Sequence, residues 1–232
     1  MALPMFLAMT AAEMSGMDSK SKHIAWLSCH FSPYTQGIAN LPDSLPQGSI
    51  LILDDRFPCQ GHSGSLVAGQ LAEAVKRFDC ESLLLDFQRP GNPEIEAVIR
   101  QILNDAPCPV AVSEYYAAGF SCPVFLSPAP LHVPLETYLA PWEDREIWLE
   151  AALCQEQVIV TETGVQFNPQ FPTAPMNGGF FDEVLCCNYT TEIADDEIRF
   201  HLFDTRESLE AKLKKAHSLV VTRAVGLYQE LS

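Results

Sequence analysis

Four runs of this chain are apolar without alternation: "SILILDD" (49–55), "SLLLDF" (82–87), "CPVAVSEYY" (108–116) and "CPVFLSPAP" (122–130). A strand with one wet face alternates apolar and polar side chains. A strand buried on both faces does not, and that pattern belongs to parallel sheets covered by helices. The segments between the runs have helical spacing. "LVAGQLAEAVKRF" (66–78) repeats Leu66, Val67, Leu71, Val75 and Phe78. "NPEIEAVIRQILNDA" (92–106) opens with Pro93 and Glu94, which suit a first helical turn, and lines up Ile95, Val98, Ile99, Ile102 and Leu103. "HIAWLSC" (23–29) supplies a strand ahead of these. Strand and helix in alternation imply a parallel sheet, closed as a barrel or open and doubly wound. No GxGxxG or P-loop follows any strand, which argues against a nucleotide site.

From about residue 131 the rhythm changes. "REIWLEAAL" reads as a strand or a short helix. "QVIVTETGVQF" (157–167) reads as a hairpin turning at Thr163-Gly164, and "NPQFPTAPMNGGFF" (168–181) as a loop. "EVLCCNY" and "EIRFHLF" are two further strands around an acidic turn, "TTEIADD", close enough to pair antiparallel. "RESLEAKLKKAHSL" (206–219) is a helix with its early glutamate and late lysines matching the dipole. "TRAVGLYQEL" closes the chain as a strand.

Charge restricts the partners. A formal net charge of -16 repels phosphate backbones and anionic membrane surfaces. Nucleic acid and membrane are therefore not expected as partners, while neutral or cationic ligands remain open. No apolar run reaches the ~18 residues of a membrane span. The eight cysteines form no CxxC pair, and several lie in apolar runs. They read as reduced, buried thiols of a cytoplasmic protein. "MALPMFLAMTAAEMSGMDSKSK" (1–22) lacks a basic start and is expected to be a flexible tail rather than a signal peptide.

The C-terminal stretch "FDTRESLEAK" (203–212), followed by "AVGLY" (224–228), resembles the end of glycoside hydrolase family 18, in particular its spore-associated, chitinase-like branch. Tyr228 stands near the family's closing tryptophan. Upstream, "CESLLLDFQRP" (80–90) is similar to the family's DGxDxDxE strand. Asp86 falls on its last aspartate, Leu84 on the aspartate before, and Gln88 on the glutamate that serves as general acid. The family's small-residue SxGG signature is missing from "SILILDD". The resemblance implies a TIM-type (β/α) barrel, shortened or irregular, with a small antiparallel β insertion. The implied domain covers 23–232 with the insertion at about 150–200. At 232 residues the chain is below the ~250 typical of such barrels, so an absent strand or helix is expected.

In that family the glutamic acid protonates the leaving oxygen, the substrate's acetamido group attacks, and the aspartate orients it. Glutamine has no proton to give. The resemblance therefore implies a degenerate glycosidase that binds an amino-sugar-containing glycan with weak or no hydrolysis. The ligand so implied is a carbohydrate or another neutral small molecule. The alternatives are an active enzyme whose acid has moved to Asp55 or Glu114, carboxylates at the ends of neighbouring strands, a metal-dependent hydrolase on a barrel, and a non-catalytic partner-binding protein. The candidate catalytic set is Asp86, Gln88, Asp55 and Glu114. The candidate substrate-binding set is Tyr116, Phe57, Arg89 and Tyr228. No cofactor is implied.

Two rival constellations carry less weight. His30, Asp54, Asp55, Cys59 and His62 include metal-ligand types, but neither HxH nor HExxH is present. They are expected to be scattered loop residues, without metal. Cys29 and His30 are adjacent, so a strand would point them to opposite faces, and Cys29 is expected to be a core thiol.

Overall fold

The computed structural model describes residues 3–14, 23–170, 178–194 and 196–231. In chain order the strands are β1 Met5–Met9, β2 Ile24–Phe31, β3 Ile38–Ala39, β4 Ile50–Asp54, β5 Ser82–Asp86, β6 Val110–Ser113, β7 Val124–Leu126, β8 Ile147–Glu150, β9 Gln155–Thr161, β10 Gly164–Gln170, β11 Phe180–Asp182, β12 Cys187–Ala194, β13 Glu197–Phe203 and β14 Val221–Leu227. The helices are α1 Ala11–Met14, α2 Gly64–Phe78, α3 Pro93–Asp105, α4 Glu114–Ala117, α5 Leu135–Leu139, α6 Arg206–Leu219 and α7 Tyr228–Leu231.

Eight strands, β1, β2, β4 to β8 and β14, run parallel and close on themselves, because β1 pairs with both β14 and β2. The fold is an irregular TIM-like barrel. The doubly apolar runs are explained by its two cores. On β4 and β5, Ile50, Ile52 and Leu84 enter the barrel interior with Phe6, Ala25, Ala111, Phe125, Trp148 and Val225. The alternate residues Leu51, Leu53, Leu83 and Leu85 pack outward, in the core that also holds the apolar faces of α2 and α3. Both helices are capped as their sequences require: Ser63 accepts from the Leu66 N–H, and Asn92 accepts from the Glu94 N–H at 2.9 Å. Asp79 stops α2 in the left-handed region at φ 52°.

Residues 1–22 are not simply a tail. Met5–Met9 form the first barrel strand, with Phe6 and Ala8 buried in the interior. Without that strand the sheet could not close. Residues 1, 2 and 15–22 of the expected tail lie outside the described residues. All eight strands are therefore present, and the shortening falls on the helices: α4 has four residues and α5 five. β6 stops at Ser113, so Glu114 begins α4 rather than ending a strand. "REIWLEAAL" contains strand β8.

The N-terminal floor of the barrel is sealed. The Arg223 guanidinium lies 4.7 Å from the Trp148 ring centroid and donates to Glu81 and to Ser82 Oγ. The opposite rim, at the strands' C-terminal ends, is the face where sites form in this architecture.

Between β8 and α6 lies the expected antiparallel insertion, ordered β10-β9-β13-β12-β11. Residues 190–194, expected in a turn, continue β12, and the middle of the expected 168–181 loop, 171–177, lies outside the described residues. The insertion is fastened by Asp204, whose side chain is fully buried. Lys212 Nζ donates to both its oxygens at 2.8 Å, and Ser208 Oγ and the Cys154 N–H also donate to it. The segment "FDTRESLEAK" is this staple.

Candidate functional site

The side-chain alternation that fills the barrel also builds its rim. Two residues beyond Ile52 and Leu84 on the same inward rows stand Asp54 and Asp86, paired in register across β4 and β5. Two beyond Trp148 on β8 stands Glu150. An apolar strand that ends on an inward carboxylate thus places that carboxylate at the mouth, half in the core and half in water.

The electrostatics follow from this placement. Burial pushes the Asp86 carboxyl up to about 6, and the Asp54 and Asp55 charges add to the shift, while the hydrogen bond from Gln88 Nε2 to Asp86 Oδ1 opposes it. Burial pushes Glu150 up to about 7, helped by the Asp86, Glu230 and Glu114 charges. Glu114 Oε1 accepts from the Ser127 N–H at 3.1 Å, and the Tyr138 hydroxyl donates to Ser127 O at 2.9 Å. Burial, with Glu114 and Glu150 nearby, raises the Tyr138 phenol. Asp86, Glu150, Glu114 and Tyr138 therefore share one rim.

The other expected residues divide. Both oxygens of Asp55 accept backbone N–H groups at 3.0 Å, from Gln88 and from Arg89. This carboxylate shapes the turn that presents Gln88 and has no lone oxygen facing a substrate. Asp54 is clamped by Arg56, whose Nε reaches both its oxygens at 2.9 Å. Arg89 is exposed and donates to Arg56 O at 3.2 Å. Tyr116 is only 4 % exposed and gives its hydroxyl to Arg89 O, so it braces the loop from below instead of lining a groove. Phe57 is exposed and leans on the His30 ring, centroids 4.6 Å apart. Tyr228 begins α7 directly after the eighth barrel strand, half-buried. Leu84, the apolar residue at the carboxylate position of the family motif, is buried in the barrel interior.

The residues of the two rival constellations make other contacts. His30 meets Phe31 O at 2.8 Å through Nδ1 and Asn40 Nδ2 at 3.1 Å through Nε2. His62 meets Cys59 O and Ser32 O, both at 2.9 Å. Each nitrogen of the two rings already faces a protein group within hydrogen-bond distance, and no group of three or more metal-ligating side chains occurs among the described residues. Burial pushes the Cys29 thiol up to about 12, which suits a core residue and not a nucleophile.

Glu150 is the rim residue that sequence reasoning missed. Its signal, "IWLE", has the same form as "LLLD": an apolar run ending on a carboxylate. Beside the β8 end lies a largely apolar cavity of about 450 Å³, lined by Pro128, Leu131, Cys154, Glu156, Pro169 and Glu230 among others.

No protein-family model matches the sequence, and no curated protein matches it significantly. Solved structures do match in shape. The glycoside hydrolase family 18 chitinase of Cycas revoluta, in complex with allosamidin, superposes with a TM-score of 0.56 at 11 % identity, over 97 % of this chain and 94 % of that one. The chain has the fold of the family 18 chitinases. The spore cortex-lytic enzyme SleL of Bacillus cereus gives 0.55 at 6 % identity, covering 97 % of this chain and 70 % of its own. The chitinase of Chromobacterium violaceum gives 0.52 at 9 %, covering 97 % and 93 %. In this chitinase-like fold the antiparallel sheet is the insertion and β5 is the fourth barrel strand, so Asp86 and Gln88 stand at the rim.

Proposed function

We propose that the mouth of this barrel binds an amino-sugar-containing glycan and hydrolyses it weakly or not at all. One observation carries the reading. On the rim of a chitinase-like barrel, the residue that the sequence resemblance sets at the general acid's position is Gln88, whose amide donates to Asp86. The amide keeps the reach of a glutamic acid and can hydrogen-bond a sugar oxygen. It cannot release a proton to a departing alkoxide, and general acid help is typically worth ~10²- to 10⁴-fold. Asp86 retains the orienting role toward an acetamido group, and the Asp55 cradle holds the Gln88–Arg89 turn in place. The eight cysteines are free thiols, which suits work in the cytoplasm.

A second reading has one observation in its favour. Glu150 holds a proton close to neutral pH on the same rim, so an active glycosidase would draw its acid from Glu150 and not from Asp55, whose oxygens are occupied. The test is binding of chitooligosaccharides and turnover of aryl N-acetylglucosaminides by wild type, Gln88→Glu and Glu150→Gln. The expected result is binding by all three and turnover by Gln88→Glu alone. Turnover by wild type that Glu150→Gln abolishes would establish the second reading. Absence of any sugar binding would overturn both.

A further inference from the structure

An open sheet ends in strands whose outer backbone groups are unpaired. Such edges recruit other strands unless they are short, charged or covered. The barrel sheet closes on itself apart from β3, two residues long. In the insertion one edge is β11, three residues long and ending on Asp182, with Glu183 behind it. The outer part of β12, 190–194, lies beyond the reach of β11 and carries Glu192. β10, at the opposite edge, has none of these defences. It is seven residues long, "GVQFNPQ", without a charged side chain, and among the described residues it pairs with β9 alone. Residues 164–169 are all exposed.

Pro169 fixes which backbone groups of β10 face outward. Proline has no N–H for a ladder, so Pro169 sits where the strand turns its groups away from β9. The antiparallel alternation then gives Gly164, Gln166 and Asn168 to hydrogen bonds with β9, opposite Thr161, Ile159 and Gln157. The N–H and C=O groups of Val165 and Phe167 point outward. Their side chains share the apolar face of the sheet with Val158, Val160, Ile198 and Phe200, and they stay 50 % and 47 % exposed. The Phe167 ring leans on His132, centroids 4.0 Å apart, which holds it in place while about half of the residue remains in water.

This edge is complementary to itself. Two copies set antiparallel about Gln166 bring Val165 of each against Phe167 of the other. Each of these two pairs exchanges both main-chain hydrogen bonds. A β-branched residue beside an aromatic one is a favourable cross-strand pair. Gln166 meets Gln166 on the polar face, Gly164 meets Asn168, and Pro169 ends the ladder on both sides. Charge favours this contact over others. Two chains of net charge -16 repel wherever acids meet. Glu162, in the β9–β10 turn, is four residues from Gln166, so the two copies of it lie eight residues apart. At ~3.3 Å per residue that is about 26 Å, well beyond the ~8 Å screening length of physiological salt. The charge on β9 is Glu156, which His132 already holds.

We propose that β10 is a dimerisation edge. It pairs antiparallel with β10 of a second copy of this chain about a two-fold axis at Gln166, and the two five-stranded insertions become one continuous sheet. The inference does not depend on what the barrel mouth binds. One seven-residue edge buries less than the ~1,200 Å² of standard interfaces, so the dimer forms at micromolar rather than nanomolar concentration.

The experiment is sedimentation velocity of the full chain from micromolar to near-millimolar concentration, for wild type, Val165→Glu and Ile193→Glu. Circular dichroism checks the fold of each, and NMR follows amide exchange in wild type. Ile193 is 78 % exposed on the same apolar face but lies on β12, away from the β10 edge. Wild type is expected to dimerise, Val165→Glu to weaken the dimer by about tenfold or more, and Ile193→Glu to leave it unchanged. In wild type the Val165 and Phe167 amides should slow their exchange as concentration rises, while Gln166 and Asn168 stay protected throughout. A chain that remains monomeric at every concentration would overturn the proposal. A dimer that Ile193→Glu abolishes and Val165→Glu spares would overturn it in favour of stacked apolar faces. If Val165→Glu fails to fold, the wild-type amides decide: exchange at Val165 and Phe167 that ignores concentration rules the edge out.

Discussion

Replacing Glu150 by glutamine should stabilise the protein, and only above acid pH. Burial and the neighbouring Asp86, Glu230 and Glu114 charges move this carboxyl from an ordinary 4.5 to about 7. Below pH 4.5 it is protonated in both folded and unfolded chains and contributes no pH dependence. Between 4.5 and about 7 the unfolded chain releases the proton while the folded chain keeps it, so stability falls as pH rises. Above about 7 the folded chain carries the charge at full cost. At 1.36 kcal/mol per pH unit of displacement, that cost is roughly 3 kcal/mol. Asp86, itself raised to about 6, is coupled to Glu150, so part of this sum belongs to the pair. Glutamine imitates the protonated acid in shape and never acquires the charge. Urea unfolding of wild type and Glu150→Gln at about pH 4, 6 and 8 checks this. The variant's stability relative to wild type should rise by about 2–3 kcal/mol from pH 4 to pH 8. A difference that stays level across this range would mean that Glu150 is solvated like a surface carboxylate, and that the rim is not a site that shifts protons.

Lys212→Met should cost roughly 3–5 kcal/mol, because it strands the buried Asp204 charge, and a drop in melting temperature measures it. The double variant Asp204→Leu with Lys212→Met should recover most of that loss. Asp55→Ala releases the Gln88 and Arg89 amides, so it should weaken chitooligosaccharide binding severalfold and cost about 2–4 kcal/mol of stability, as two hydrogen bonds to a charged group are lost. Cys29, with its thiol pushed to about 12, should resist alkylation at about pH 8 until denaturant is added, whereas rapid labelling of the native protein would contradict its burial.

The parts of the fold that the sequence made legible are those whose signal is local. Doubly apolar runs marked β4 to β7, and capped amphipathic segments marked α2 and α3. The strand that closes the barrel, Met5–Met9, has its partners on β14 and β2, and its five residues carry no turn or capping signal to set them apart from a mildly apolar leader. Glu114 shows the same limit at a smaller scale. The run "CPVAVSEYY" is apolar enough to read as one strand, but a four-residue helix begins at Glu114, and only the tertiary fit to β7 decides that. Rim carboxylates were legible where the strand itself was unambiguous, as at Asp86, and were missed where strand and helix were hard to separate, as at Glu150.

The two sequence segments that resemble family 18 report on different things. "FDTRESLEAK" is the Asp204–Lys212 staple, and its residues are constrained because a buried carboxylate at that junction needs its ammonium and its backbone donor in place. "SLLLDFQ" runs up to the rim, with Leu84 filling the interior and Gln88 standing beside Asp86. Barrel packing tolerates both residues: Leu84 joins the apolar layer with Ile52 and Trp148, and Gln88 is exposed and bonded to Asp86. The staple and the rim are thus built from separate residues, so this fold does not by itself fix the chemistry at its mouth. What stands at the mouth is Asp86 with its carboxyl raised to about 6, the Gln88 amide bonded to it, and Glu150 on β8 with its carboxyl raised to about 7.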